Sequence, residues 1–412
     1  MKSLENLDLL PEPEDHRILT AIDNQALGYS GSDYGLTDEE AKQLRWPLGP
    51  MKKLEHPTGA IFFSLFVLLL IAGWPWVNSY LIPILPNSEW AYEDSGIRQL
   101  QSEGYFGQGV HVCIVDTGID MEHPDFSHQQ LLGFRDFVGG NHDLVRDVGE
   151  SSHGTLMAGI LISNGTSKGA APEVGLSVAL ALDSEGTSGS TDRVAQAIRW
   201  CRITQKVDII SLSLGGSPSD FTSNIDTQTN LAVQEALDSG IFVVAAAGNT
   251  GLNLDINDVS QPSSLPGVIS VGAISKSGNV WGSSAFGSSI DRATGEERIF
   301  PNQKPEVVAP GVNIFSTASS TLSSPYAYSS GTSDSTVFVT GALALIIQQC
   351  RDSIEGSDGY IDENEMMLVK HALARSSDRG NFESGNHNSH SGYGALDLVK
   401  WSEEVAFIFN VE

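Results

Sequence analysis

Between residues 110 and 247, continuous apolar runs alternate with stretches of helical periodicity, and no other feature constrains the fold as strongly. Runs of strand length fall at 110–115, 176–182, 207–212 and 241–247, with helical patterns at 154–163, 191–204 and 229–239. In the second of these helices Val194, Ile198 and Cys201 recur at i, i+4 and i+7, which puts them on one apolar face. Strands that stay apolar at every position, rather than at alternate ones, are buried on both faces, as in a parallel sheet. Strand–helix alternation then predicts an α/β fold whose sheet is covered by helices. A short helix over 97–104 precedes the first strand, and no internal repeat is present.

A second feature lies upstream. From residue 57 to residue 88 there is no Asp, Glu, Lys, Arg or His, and 60–76 is apolar apart from Ser64, with Trp74, Trp76 and Tyr80 towards one end. About 20 apolar residues cross a bilayer, and aromatic side chains gather at its faces. A cleaved signal peptide would need a short basic leader, whereas 58 mostly polar residues precede a span that starts at residue 59. The expected organisation is therefore a flexible acidic tail over 1–58, a transmembrane helix over 59–85 and a large α/β domain over 86–412. Lys52 and Lys53 flank one side of the span, and Glu89, Glu93 and Asp94 the other. Basic flanks stay in the cytoplasm. A single-pass protein of the cell membrane is expected, with its N-terminus inside and its main domain outside. Within the tail only 36–44 carries a helix-start signal, Thr37-Asp38-Glu39-Glu40.

The formal net charge is −28, and the tail alone holds 11 acids against 6 bases. Such a surface repels nucleic acid and anionic lipid, so neither is an expected partner. The three cysteines, Cys113, Cys201 and Cys350, lie far apart in apolar settings and read as small core residues rather than as a disulfide framework.

Chemistry concentrates in three segments: Val112-Cys113-Ile114-Val115-Asp116-Thr117-Gly118, His153-Gly154-Thr155-Leu156-Met157-Ala158-Gly159 and Ser330-Gly331-Thr332-Ser333. Asp116 closes an apolar strand, and His153 and Ser333 each stand beside glycine at the start of an apolar helix. An acid, an imidazole and a hydroxyl are the parts of a nucleophilic triad, and the chain order Asp–His–Ser is that of subtilisin. Singly, each has a plainer reading: a turn former, a helix-start polar group, a cap.

Other segments agree with that order. Gly107-Gln108-Gly109-Val110, Ser211-Leu212-Ser213-Leu214-Gly215-Gly216, Val243-Val244-Ala245-Ala246-Ala247-Gly248-Asn249, Lys304-Pro305-Glu306-Val307-Val308-Ala309-Pro310-Gly311 and Gly392-Tyr393-Gly394-Ala395-Leu396-Asp397 all resemble landmarks of the subtilisin-like serine peptidases. The resemblance implies a three-layer α/β/α fold and a serine endopeptidase acting on protein or peptide substrates through an acyl-enzyme. It implies Ser333 as nucleophile, His153 as base and then acid, Asp116 as the group that orients the imidazole, and Asn249 as an oxyanion donor. It further implies a substrate cleft with Ser213, Leu214 and Gly215 on one wall and Thr187, Ser188 and Gly189 on the other. Asp183, Glu185 and Asp192 lie nearby in sequence and would favour basic residues in the substrate, unless they are simply solvated loop acids.

Two departures from the family pattern stand out. After Ser333 the family continues with Met, small residues and Pro; here stand Asp334, Ser335, Thr336 and Val337. A carboxylate ~6 Å from a developing oxyanion, at an effective dielectric of ~20, costs about 3 kcal/mol, roughly 100-fold in rate. One turned to water costs far less. The alternative to a working peptidase is thus an impaired pseudo-peptidase that binds extended peptides. Secreted relatives also carry a folded propeptide, whereas 87–109 leaves room only for a first helix, so the expectation is either folding without such assistance or no maturation by self-cleavage. No cofactor or metal site is expected. The loop 164–172 lacks the insertion that builds a calcium site in some relatives. Asp358-Gly359-Tyr360-Ile361-Asp362 with Glu365 mimics half of an EF-hand, but Ile354 and Gly356 would occupy its first and third ligand positions.

Overall fold

The computed structural model describes residues 57–81, 88–139, 144–186, 191–214, 227–253, 258–292, 294–380, 382 and 386–411. The chain divides into two compact units, Met1–Leu81 and Ile82–Glu412. In the first, helix α1 (Pro57–Leu81) runs for 25 residues. Among the described residues no helix is long and apolar enough to cross a membrane, so the expected span at 59–85 is not carried by the structure. The helix start expected at 36–44 lies outside the described residues.

The second unit is built on one parallel sheet. Its strands are β1 (His111–Asp116), β2 (Gly133–Asp136), β3 (Gly175–Leu180), β4 (Ile209–Leu212), β5 (Phe242–Ala246), β6 (Ile269–Ile274) and β7 (Val307–Pro310), ordered β2-β3-β1-β4-β5-β6-β7. All pairs are parallel, with Asp116 level with Leu180 of β3. Successive side chains of a strand point to opposite faces. Every residue of β4 to β7 is buried, so both faces of the sheet are covered and the architecture is α/β with three layers.

Helices α2 (Glu89–Asp94) and α3 (Ile97–Ser102) precede β1. Helix α4 (His153–Ile162) packs against α7 (Thr332–Glu355), while α5 (Thr191–Trp200) packs against α6 (Thr227–Leu237). Helix α7 contacts β4, β5, β6 and β7 and is buried almost all round from Thr332 to Ile347, as a helix through the centre of a large core must be. An antiparallel hairpin, β8 (Ile314–Thr317) and β9 (Tyr326–Ser329), delivers the chain to the start of α7. Helices α8 (Glu363–Ser376) and α9 (Leu398–Ile408) pack together near the C-terminus.

The apolar runs read from the sequence coincide with β1, β3, β4 and β5. The segment expected as one helix over 191–204 is α5 followed by a wider π-type turn at Cys201–Gln205. One expectation is corrected. Cys113 and Cys201 are not separate core residues but a disulfide, with Cα atoms 6.0 Å apart and 88 residues between them along the chain. Cys113 faces the layer that holds the end of α5, a proximity created by the strand–helix crossover. Cys350 is free and buried. In the half EF-hand segment, Asp362 caps α8 by accepting from Asn364 and Glu365 N–H groups, and Glu365 accepts from Asp362 N–H, a reciprocal capping box.

Candidate active site

The C-terminal end of β1 and the start of α4 meet at a pair of glycines. Gly118 has φ +116°, and a Cβ there would lie 2.0 Å from the Arg146 carbonyl oxygen. A Cβ on Gly154 would lie 2.1 Å from the Gly118 carbonyl oxygen. Only glycine at both positions allows this approach, and it brings Asp116 Oδ1 and His153 Nδ1 to 2.7 Å. Asp116 is fully buried, whereas the His153 side chain is 28% exposed. The same Oδ1 accepts from Thr117 N–H. Ser152, just before the histidine, has φ 56°, a left-handed conformation that costs a non-glycine residue strain and is characteristic of functional turns.

A further carboxylate braces this junction. Asp147 accepts from Thr117 Oγ1 at 2.7 Å and from the Thr155 hydroxyl and N–H at 2.6 and 2.8 Å. Thr117 Oγ1 in turn accepts from Gly154 N–H at 2.9 Å. Burial alone would lower the His153 pKa. The charge and hydrogen bond of Asp116, with the charges of Asp334 and Asp147, outweigh it and raise the value to about 9.

Ser333 is the second residue of α7. Its hydroxyl donates to the Ser213 carbonyl oxygen at 3.3 Å, and Ser213 Oγ donates to the Ser333 carbonyl oxygen at 3.2 Å. Among the described residues Ser333 makes no hydrogen bond to His153. A hydroxyl occupies one of three staggered rotamers, and catalytic hydrogen bonds without substrate are often unmade. Asn249 follows β5. Its Oδ1 accepts from Thr332 N–H and Thr332 Oγ1, both at 3.0 Å, while Thr332 Oγ1 accepts from Gly248 N–H. Because a backbone N–H only donates, the Asn249 oxygen is fixed towards Thr332 and its NH2 is left free to donate beside Gly331. Replacing Asn249 by Ala is expected to lower kcat by about 10²–10³ with KM little changed, the size known for this amide in subtilisin, checked by steady-state peptide hydrolysis.

The carboxyl that follows the nucleophile is not turned to water. Asp334 is 2% exposed and accepts a hydrogen bond from Ser329 Oγ. Burial raises its pKa to about 7, against the opposing effects of the Ser329 hydrogen bond and the His153 charge. Val337 is buried inside an unbroken α7, so the missing proline leaves no kink.

Asp116 and His153 are thus joined, and Ser333, Asn249 and Ser213 are linked through Thr332 and the start of α7. Leu214 is half-buried next to Ser213. Gly215, Thr187, Ser188 and Gly189 lie outside the described residues. Of the nearby acids, Asp183 accepts from Glu185 N–H at 3.2 Å within its own turn. Sequence reasoning passed over four contributors. Thr117 and Thr332 sit inside the quoted motifs, where a side chain able to donate and accept was a usable signal. Asp147 and Ser329 carried none, since only the folded loops bring them in.

A family model described as "Subtilase family" matches residues 107–394, and the chain belongs to that family. It is similar to "Subtilisin NAT" of Bacillus subtilis subsp. natto, 34% identical over 273 residues, with 64% of each chain covered. It is also similar to "Intracellular serine protease" of Paenibacillus polymyxa, 35% identical over 330 residues, covering 77% of this chain and 88% of that one. The chain thus spans about two thirds of the length of several subtilisins it matches. A solved structure described as "Structure of Prenylagaramide maturation protease PagA" shares the fold, with a TM-score of 0.58 and 24% identity, covering 75% of this chain and 98% of that one.

Proposed function

We propose that this chain is a serine endopeptidase that hydrolyses peptide bonds through an acyl-enzyme, held at a membrane by α1. The observation that carries the catalytic reading is the 2.7 Å contact between buried Asp116 and His153 Nδ1, because it leaves the other imidazole nitrogen available as a base. In this reading Ser333 Oγ attacks the scissile carbonyl and passes its proton to His153 Nε2. The negative charge on the carbonyl oxygen is met by Asn249 Nδ2 and the Ser333 N–H. His153 then protonates the leaving amine, and water attacks the acyl-Ser333 ester by the reverse proton path. An extended substrate pairs with backbone at Ser213, Leu214 and Gly215, with Thr187, Ser188 and Gly189 opposite. All groups in this scheme belong to the protein, and no cofactor is proposed. The rival reading, a peptide-binding pseudo-peptidase, is disfavoured because Asp116, His153, Ser333 and Asn249 are all present.

Anchoring is supported by the uncharged stretch 57–88 and by the exposure of the α1 side chains. Ile61, Phe62, Leu65, Leu68, Leu69 and Ile71 are each more than half exposed, a display of apolar surface that water penalises and lipid does not. Lys52 and Lys53 favour a cytoplasmic N-terminus. The Cys113–Cys201 disulfide favours an oxidising compartment for the peptidase domain, which fits the same orientation. In cells the full chain is expected to stay in the membrane pellet after alkaline carbonate washing, with its peptidase domain cut by protease added outside. Release of the full chain into the wash would remove the anchor from the proposal.

A further inference from the structure

Asp116 reaches His153 only if two chain segments are held in register, and neither side chain fixes that register by itself. Asp116 is anchored through one oxygen. Its Oδ1 meets both the Thr117 N–H and His153 Nδ1, while the buried Oδ2 makes no hydrogen bond among the described residues. His153 is the first residue of α4 and follows the left-handed Ser152, so its ring goes where the helix start goes. The 2.7 Å contact therefore depends on how the end of β1 is set against the first turn of α4.

Asp147 holds both segments at once. Its Oδ1 accepts from Thr117 Oγ1 at 2.7 Å, one residue beyond Asp116, and from Gly149 N–H at 2.9 Å in its own loop. Its Oδ2 accepts from Thr155 N–H at 2.8 Å and Thr155 Oγ1 at 2.6 Å, two residues beyond His153. The Thr117 hydroxyl completes the tie by accepting from Gly154 N–H at 2.9 Å. Backbone pairing runs alongside: Gly118 bridges to Asp147, and Val148 N–H donates to the Thr117 carbonyl at 3.0 Å. Thr117 and Thr155 are fully buried, whereas Asp147 is half-buried.

This arrangement needs a carboxylate. Backbone N–H groups only donate, and one points at each oxygen of Asp147, that of Gly149 at Oδ1 and that of Thr155 at Oδ2. An amide of the same shape has one accepting atom, so in either orientation it turns its NH2 against an N–H. We propose that Asp147 is a positioning residue: by accepting from Thr117 and Thr155 together it sets the Asp116–His153 contact, and through it the rate of proton transfer rather than the binding of substrate. The inference rests on that pair serving the proposed peptidase.

The test combines steady-state peptide hydrolysis by the full-length protein with NMR of the His153 Nδ1–H proton, whose resonance reports the bond to Asp116. The proteins compared are the wild type, Asp147→Asn, Thr117→Val and the double variant. A catalytic group displaced by about 1 Å can cost about 10²-fold, so Asp147→Asn is expected to lower kcat by about 10- to 100-fold with KM within about twofold. The Nδ1–H resonance should move upfield while the circular dichroism stays native. Thr117→Val cuts the same tie from its other end, so the double variant should lose less than the product of the two single losses. A full product, or a raised KM with kcat kept, would overturn the inference. So would an unchanged kcat and ring resonance in folded Asp147→Asn, or in Thr117→Val if the first variant did not fold. If the wild type hydrolysed no peptide, the peptidase reading would fall, while the ring resonance would still decide whether Asp147 sets the pair.

Discussion

Replacing Ser333 by Ala is expected to lower kcat on peptide substrates by about 10⁶-fold, the magnitude found when subtilisin loses its nucleophile. The size follows from the site's construction. On the proposed mechanism, removing the hydroxyl removes the acyl-enzyme and leaves the Asp116–His153 pair no proton to take. The proposed oxyanion donors, Asn249 and the backbone, would survive and sustain a residual rate above that of water. The Ser333 side chain is half-buried and, among the described residues, its hydroxyl donates to the Ser213 carbonyl at 3.3 Å, so its removal should leave the fold intact. Circular dichroism and thermal unfolding alongside the kinetics would verify this. A loss of less than about tenfold would mean that another group carries the chemistry.

The second large effect concerns stability. Arg298 and Asp258 form a buried bidentate pair, Nη1 to Oδ1 at 2.7 Å and Nη2 to Oδ2 at 3.0 Å. Arg298 also donates to the Ser288 and Ser264 carbonyl oxygens, and Asp258 accepts from Val259 and Ser288 N–H. Arg298→Met fills most of the same volume but strands a carboxylate that is 3% exposed. Breaking one side of such a pair costs about 3–5 kcal/mol, because the remaining charge stays desolvated. Arg292, 3.9 Å from Asp258 with its side chain 43% exposed, offers weak compensation. Urea unfolding should show the loss as a lower midpoint; a change below about 1 kcal/mol would mean that Asp258 takes up a proton or finds another donor. The pair also stands behind the site, since Ser260, two residues after Asp258, donates its N–H to the Ala247 carbonyl beside Gly248 and Asn249.

Much of this was legible in the sequence, for reasons that differ by element. Strands β1, β3, β4 and β5 are buried on both faces, and burial on both faces writes an uninterrupted apolar run. Strand β2, Gly133-Phe134-Arg135-Asp136, is a short edge only partly buried, and leaves no such run. The β8–β9 hairpin is likewise half-buried on its second strand. Asp116, His153 and Asn249 were visible because close approach forces glycine beside them, at Gly118, Gly154 and Gly248, whereas Ser333 was visible only through its own motif. The partnership of Cys113 with Cys201 was hidden, since their 88-residue separation gives no hint that β1 and the end of α5 are neighbours. The bearing of Asp334 was half visible. Its place after Ser333 flagged a departure, but whether it faced water or the interior depended on Ser329 and the burial of the first turn of α7.

A fluorophosphonate reacts with a serine hydroxyl only where a base and an oxyanion site are assembled around it. Mass mapping of the adduct on the folded full-length protein is therefore the most direct measurement. A single adduct on Ser333, lost in Ser333→Ala and strongly slowed in His153→Ala, is the predicted result. A folded protein that takes no label, or takes it at another serine, would contradict the account.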